Sequence, residues 1–260
     1  MANNYKFTAG TSLISNLELQ RDGKPIHIRL MNWFKNRTIA RILEHPEENF
    51  ETYRLLRNFY QGKSGKETTA EVASFLKLEL SQDDRLVLLA SDTPEGMFSA
   101  LVNAHLMSHR MVELVPGQTA PMPVCIWEDP GIPTLSIDWH QSGTPLDAPA
   151  APLQNPCGQV SVMRIPGLDP ASASGFEDQA VGNLVWAISR LTKYARGRKQ
   201  PLDPVIVFTG GFKVGLPVLT QAASWLGGVP MVGLHESSDQ LIRVPLLGAK
   251  AETRLTKAVI

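Results

Sequence analysis

Two glycine-containing segments carry residue types that suit the recognition of a phosphate. Gly10, Thr11 and Ser12 follow a short predicted strand at residues 5–9 and open a helix. Free backbone N–H groups at a helix N-terminus bind anions, and the two hydroxyl groups add further donors. Near the other end of the chain, the segment Thr209-Gly210-Gly211-Phe212-Lys213 follows an apolar predicted strand. Both segments therefore predict an anion-binding turn between a strand and a helix.

The late segment combines backbone freedom with a positive charge. Gly210 and Gly211 let the main chain approach a ligand closely because they lack a Cβ atom. Lys213 stands at the start of the next predicted helix, where an ammonium group suits a phosphate. Tight turns of this composition also occur in α/β proteins that bind nothing there, so the spacing alone leaves a purely structural role open.

Strands and helices alternate around these segments. Apolar runs bounded by polar residues predict buried strands at 85–90 and 159–165, and Asp92, Thr93 and Pro94 begin a helix after the first of them. This alternation predicts an α/β fold: a doubly wound, mostly parallel, Rossmann-like sheet with helices on both faces. Ligands of such sheets bind at the carboxyl ends of the strands, where the strand order reverses.

The middle of the chain differs in composition. We expect the helix that begins at Pro94 to run to about residue 109 and a strand to follow at 111–115. Residues 116–158 contain nine prolines and short β-like pieces, which predicts a Pro-rich insertion with a β-hairpin. Residues 1–248 are expected to form one domain with this insertion, and 249–260 are too few to form anything but a C-terminal tail.

Charge and composition restrict the possible partners. Lys+Arg and Asp+Glu are equal at 25 each, so the formal net charge is zero and a long nucleic acid is an unsuitable main ligand. The sequence shows no signal peptide and no run of 18 apolar residues, so we expect a cytoplasmic protein without a membrane partner. Cys125 and Cys157 lack the C-x-x-C spacing of a metal or redox site and are expected to be unpaired thiols.

Several familiar catalytic or cofactor patterns are incomplete. Gly62-Lys63-Ser64 lies between predicted helices and lacks the first glycine of a phosphate-binding loop. His105 and His109 share a helix face, but Leu106 occupies the place of the metalloprotease glutamate. No G-x-G-x-x-G follows any predicted strand, so we expect neither a dinucleotide cofactor nor a metal.

Four segments in order resemble the signatures of the CRISPR-associated Rossmann-fold (CARF) family. The first is Thr8-Ala9-Gly10-Thr11-Ser12-Leu13-Ile14-Ser15-Asn16-Leu17, and the second runs from Asp84 to Gly96. The third is Phe208-Thr209-Gly210-Gly211-Phe212-Lys213-Val214-Gly215-Leu216-Pro217, and the fourth runs from Glu236 to Pro245. The resemblance covers about residues 5–115 and 159–247 and leaves the Pro-rich insertion outside it.

The resemblance implies a homodimer that binds cyclic tetra- or hexa-adenylate across its two-fold axis in type III CRISPR antiviral signalling. A ring of identical nucleotides can occupy such an interface, with half of it handled by each protomer. The residues that the resemblance implies for ligand binding are Gly10, Thr11, Ser12, Asp92, Thr93, Thr209, Gly210, Gly211, Phe212 and Lys213.

Two functions follow from the resemblance, and a third stays open. Stand-alone relatives are ring nucleases that cleave the messenger without a metal, and their catalytic serine and lysine correspond to Ser12 and Lys213. The alternative is a non-catalytic sensor module of a larger effector or of a partner complex. An unrelated Rossmann-like enzyme is the third possibility.

Overall fold

Strands of a single sheet alternate with helices along the chain. The computed structural model describes residues 2–9, 13, 30, 32–129, 132–140, 144–146, 160–169, 171–197, 201–208, 215–235 and 239–244. The strands are β1 Asn3–Thr8, β2 Arg85–Ala90, β3 Val124–Asp129, β4 Ile132–Asp138, β5 Thr144–Leu146, β6 Val160–Arg164, β7 Asp203–Phe208, β8 Met231–His235 and β9 Gln240–Val244. The α-helices of six or more residues are α1 Ile39–Glu44, α2 Glu47–Tyr60, α3 Ala70–Phe75, α4 Pro94–Leu114, α5 Val181–Arg196 and α6 Leu216–Trp225.

The strand order is β5-β4-β3-β6-β2-β1-β7-β8-β9. The six neighbouring strands from β3 to β8 in that order run parallel to one another. β4 runs antiparallel to β3, and β9 runs antiparallel to β8. The α/β sheet, mostly parallel and with helices on both sides, confirms the predicted fold class.

Each face of the sheet packs against its own set of helices. Helices α1 to α4 bury their apolar side chains on one side, which we call the first face. Helices α5 and α6 cover the other side, the second face. Both faces of a parallel sheet must be covered by apolar side chains, which explains why β2 and β7 read as continuous apolar runs rather than as alternating ones.

Local signals fix where the helices begin. The Thr93 hydroxyl accepts a hydrogen bond from the N–H of Gly96 at 3.0 Å, and Pro94 occupies the first turn of α4. The Thr69 hydroxyl caps α3 in the same way, with the N–H of Val72 at 3.2 Å. The helical periodicity of residues 36–61 predicts two helices with a break near Pro46. The break is present, because α1 ends at Glu44 and α2 begins at Glu47.

The predicted strand at 111–115 is wrong, because α4 continues to Leu114. Met111 and Val115 are both buried, and the N–H of Val115 donates to the carbonyl oxygen of Met111 at 2.9 Å. The apolar residues of this stretch therefore follow the period of a helix that packs on one side, with Leu114 exposed.

The β-structure of the Pro-rich segment belongs to the main sheet. β3 pairs in parallel with β6 and antiparallel with β4, so the two strands form a hairpin that extends the sheet. Val124, Ile126 and Ile137 face the first-face core and are fully buried or nearly so. The hairpin is therefore part of the core.

Cys125, on β3, is fully buried and disulfide-bonded. The expectation of an unpaired thiol is therefore wrong for this residue. Cys157, the other cysteine of the sequence, lies outside the described residues.

Replacing Trp139 tests whether the hairpin belongs to the core. The Trp139 side chain is fully buried directly after β4, stacks on the ring of His105 with centroids 4.7 Å apart, and donates its indole N–H to the carbonyl oxygen of Pro46 at 3.0 Å. We expect Trp139→Ala to lower the free energy of unfolding by about 3–5 kcal/mol in chemical denaturation. The matched control Trp225→Ala removes a tryptophan that is 69% exposed and should change it by less than about 0.5 kcal/mol. Equal effects of the two substitutions would contradict this account of the core.

Candidate functional site

The strand order reverses at β1. From β1 the chain passes through α1, α2 and α3 on the first face to β2, on one side of β1. From β7, which pairs with the other side of β1, it passes through α6 on the second face to β8. The two connections leave in opposite directions and on opposite faces, and ligands of such sheets bind in a crevice outside the carboxyl ends of the strands at this point. The topology thus selects this point of the sheet as the candidate site.

The carboxyl end of β1 is anchored on both sides of the first glycine segment. Ala9 donates its N–H to the carbonyl oxygen of Leu89 at 3.0 Å, which continues the pairing with β2 by one residue. Leu13 is fully buried, and its carbonyl oxygen accepts a hydrogen bond from the Tyr60 hydroxyl at 2.8 Å. Burial raises the pKa of Tyr60, so this hydroxyl stays a donor at neutral pH. The residues that flank 10–12 are therefore held by the sheet and by α2.

The carboxyl end of β7 is packed against the neighbouring strand. Phe208, the last residue of β7, stands opposite Gly233 of β8, and a Cβ atom at Gly233 would lie 2.2 Å from the Phe208 ring. A glycine in a strand commonly marks such a close approach. The absence of a side chain at Gly233 therefore makes room for the ring of Phe208, the residue that directly precedes the second glycine segment.

The two glycine segments themselves lie outside the described residues. This applies to both proposed catalytic residues, Ser12 and Lys213, and to the proposed ligand-binding residues Gly10, Thr11, Thr209, Gly210, Gly211 and Phe212. What the structure describes is the pair of strands that precede them. Phe7 and Val207 are directly paired near the ends of β1 and β7, so the two segments depart from neighbouring strands, about 5 Å apart in a sheet.

Asp92 forms hydrogen bonds with other residues of the protein. Its carboxylate accepts a hydrogen bond from the Arg164 Nε at 2.6 Å and another from the N–H of Gly167 at 2.8 Å. Its own N–H donates to the carbonyl oxygen of Leu168 at 2.8 Å. Asp92 thus joins the carboxyl ends of β2 and β6. A carboxylate also repels a phosphate, and its proposed contact with a ligand stays a prediction.

Thr93 likewise has a local partner. Its hydroxyl caps α4 and also lies 3.3 Å from the Ser91 hydroxyl. Gly96 lets the chain turn tightly here, because a Cβ atom at this position would lie 1.6 Å from the Ser91 hydroxyl oxygen. The stretch from Ser91 to Gly96 therefore forms a preorganised helix start at the carboxyl edge, and ligand binding by Thr93 stays a prediction.

Arg164 is a candidate site residue that the sequence interpretation missed. It ends β6 at the same edge of the sheet, and its side chain is 43% exposed while Asp92 orients it. β6 is separated from β1 only by β2, so Arg164 starts about 10 Å from β1 and has a long side chain. The sequence signal is a charged residue at the end of the predicted strand, but only the pairing of β2 with β6 shows that Arg164 lies near the candidate site.

Two other polar clusters among the described residues leave little room for a ligand. A narrow cavity of about 30 Å³ between α2 and α4 is lined by Arg57, Lys63, His109 and Arg110 among others, which is room for little more than a water molecule. His105 is fully buried with Nδ1 2.8 Å from the Leu101 carbonyl oxygen and Nε2 3.2 Å from that of Ile137, and burial lowers its pKa to about 4.

Two further properties concern only the described ranges. They contain no group of three or more His, Cys, Asp and Glu side chains that could hold a metal ion. None of their helices combines the length and the apolar composition needed to cross a lipid bilayer.

Comparison with known proteins links part of the chain to CRISPR systems. Residues 151–247 match the family model described as CRISPR-associated protein (Cas_APE2256). The matched region contains the strands β6, β7, β8 and β9 and the second glycine segment, and it is less than half of the 260 residues. The match supports a CRISPR association through similarity over this region. No curated protein matches the chain with significance.

Removing the Asp92 carboxylate tests its role in joining β2 and β6. Asp92→Ala deprives a backbone N–H and a guanidinium group of their acceptor, so we expect the free energy of unfolding to fall by about 1.5–3 kcal/mol. The matched control is Asp83→Ala, an exposed aspartate that should change it by less than about 0.5 kcal/mol. Urea denaturation followed by circular dichroism measures both. An unchanged midpoint for Asp92→Ala would show that these hydrogen bonds contribute little.

Proposed function

We propose that this protein binds a cyclic oligoadenylate, most simply cyclic tetra-adenylate, at the carboxyl ends of β1 and β7 and cleaves it as a metal-independent ring nuclease. The observation that carries the proposal is the reversal of strand order between these two strands. Gly10, Thr11 and Ser12 follow one of them, and Thr209 to Lys213 follow the other.

Sequence similarity supports the same assignment from two directions. The family match to a CRISPR-associated protein spans β6 to β9 and includes the segment that ends in Lys213. The resemblance to the CARF family adds the segment around Ser12, which the family match does not reach. The two together associate both segments of the proposed site with CRISPR-associated proteins, which supports the proposal.

The proposed chemistry requires positioning and charge stabilisation rather than a metal. A ribose 2′-hydroxyl attacks the adjacent phosphorus, the bond from phosphorus to the 5′-oxygen breaks, and a 2′,3′-cyclic phosphate forms. The proton lost by the 2′-hydroxyl is balanced by the proton gained by the 5′-oxygen that leaves. Ser12 orients the attacking hydroxyl or the phosphate, and Lys213 stabilises the negative charge on the phosphoryl oxygens.

Described residues at the same edge suit a larger polyanionic ligand. Arg164 is held in place by Asp92 two strands away from β1 and keeps 43% of its side chain exposed. An oriented guanidinium group loses little conformational freedom when it binds a phosphate, which favours affinity. A ring of several nucleotides extends beyond a single crevice, so this cation is placed to contact a second phosphate.

Substitution of the two proposed catalytic residues tests the function. We expect Lys213→Ala to weaken binding of cyclic tetra-adenylate and to reduce cleavage by about 100- to 1,000-fold, since it removes a donor that stabilises the transition state. Ser12→Ala should keep more of the binding, because the backbone N–H groups of the turn remain, and should still impair in-line attack. Calorimetry measures binding, and chromatography of labelled cyclic tetra-adenylate measures cleavage.

The control for these variants is Lys193→Ala, an exposed lysine on α5 outside the proposed site, which should leave binding and cleavage unchanged. Binding of the ring without any cleavage by the wild type would favour the sensor function over the ring nuclease. Wild-type affinity in Lys213→Ala would remove Lys213 from the site, and no binding of the ring by the wild type would overturn the proposal.

A two-fold site requires two copies of the chain. We expect light scattering to give twice the chain mass of 28.5 kDa, with or without the ligand, because each protomer supplies half of the ring-binding surface. A mass of 28.5 kDa under both conditions would contradict the shared site.

A further inference from the structure

A second cavity lies at the amino ends of the central strands, where β1, β7 and β8 begin. Its volume is about 450 Å³, which is within the range of small-molecule sites. Val205 and Val232 line it with side chains from the strands, and Leu78, which follows α3, lines another part of it. Its apolar lining would suit a flat or apolar part of a ligand.

Two arginines from different elements line this cavity. Arg196 ends α5, and Arg243 lies on β9; both line the cavity. Within the described part of the chain, neither guanidinium group forms an ion pair with a carboxylate. Arg196 donates one hydrogen bond, to the carbonyl oxygen of Leu226 at 3.0 Å. Among the described residues, most of the donors of these two side chains have no partner, so they can serve an anion such as phosphate, whose oxygens guanidinium donors match well.

Asp203 and Tyr5 add a carboxylate and a hydroxyl group to the lining of this cavity. Asp203 at the start of β7 supplies an acceptor for hydroxyl groups, as acidic residues do for ribose in nucleotide sites. Tyr5 is 7% exposed, and burial, reinforced by the charges of Asp84 and Glu79, raises its pKa to about 12. Its hydroxyl is therefore protonated at neutral pH. The lining thus combines two basic groups, an acidic group and apolar side chains.

We propose that this cavity binds a nucleoside monophosphate, with its phosphate at Arg196 and Arg243, its ribose hydroxyls toward Asp203 and its base against the apolar walls. A mononucleotide carries all three chemistries in a molecule of matching size. The cavity is at the amino ends of the strands, whereas the proposed cyclic oligoadenylate site is at their carboxyl ends. The inference is independent of the proposed function and would make this a second, separate nucleotide site.

Calorimetric titration with adenosine 5′-monophosphate tests the proposal. We expect the wild type to bind this probe and Arg196→Gln and Arg243→Gln to bind it at least tenfold more weakly. Arg190→Gln, an exposed arginine of α5 that does not line the cavity, is the matched control and should bind as the wild type does. Adenosine and inorganic phosphate should each bind at least tenfold more weakly than the monophosphate, because each lacks one of the two recognised parts.

The outcomes separate this site from the carboxyl-edge site. Lys213→Ala should leave binding of the monophosphate unchanged, and Arg243→Gln should leave binding of cyclic tetra-adenylate unchanged. No binding of the monophosphate up to about 1 mM would overturn the proposal. Equal affinity of the wild type and of both arginine variants for the monophosphate would also overturn it. So would a loss of affinity in Arg190→Gln as large as in the two arginine variants. A wild-type affinity for inorganic phosphate equal to that for the monophosphate would overturn it as well.

Discussion

The parallel pairing of β1 with a strand on each side is the constraint on which the rest of the structure depends. β1 pairs with β2 along one edge and with β7 along the other, so every connection that leaves this centre must cross a face of the sheet. Helices therefore cover both faces, and the chain winds outward in both directions from one point. In sheets of this kind, the same reversal of direction is where a ligand crevice forms, here between the carboxyl ends of β1 and β7. The pairing of β1 with β2 and β7 thus determines both the fold and the place of the candidate site.

The central strand carries polar side chains where a purely structural sheet would be apolar. Lys6 is fully buried on β1 among residues of the second face, and its Nζ has one hydrogen bond within the described residues, to the Asn4 carbonyl oxygen at 3.4 Å. Burial, with a smaller contribution from the charge of Arg196, lowers its pKa to about 7. The Asn4 side chain is also buried, and neither of its polar atoms has a partner within the described residues. Burial of such groups costs free energy, which the apolar layers on both faces of β1 must offset.

The sequence predicts most of the fold because its strongest signals are local. The apolar runs of β2 and β7 and the break at Pro46 correspond closely to the structure, since burial on both faces and proline geometry act within a few residues. The end of α4 was predicted wrongly, because Met111 to Val115 satisfies a strand pattern over so short a window. The place of the β3–β4 hairpin in the sheet depends on its pairing with β6, which no local pattern records.

For the site, too, the sequence predicts the features that depend on local signals and misses those that depend on contacts between distant segments. Glycines after a strand and a threonine before a helix proline are local features, so the carboxyl-edge segments and the cap at Thr93 can be found from the sequence. Arg164 and the arginines of the second cavity cannot, because their roles arise only when distant strands and helices are brought together. Arg164 is a site candidate only because β6 lies beside β2 and Asp92 faces it at 2.6 Å. Arg196 and Arg243 are far apart in the sequence and line one cavity only because β9 turns back along β8 to the edge where α5 ends. The pairing of the central strand β1 thus determines which residues meet at the carboxyl ends and which meet at the amino ends of the strands.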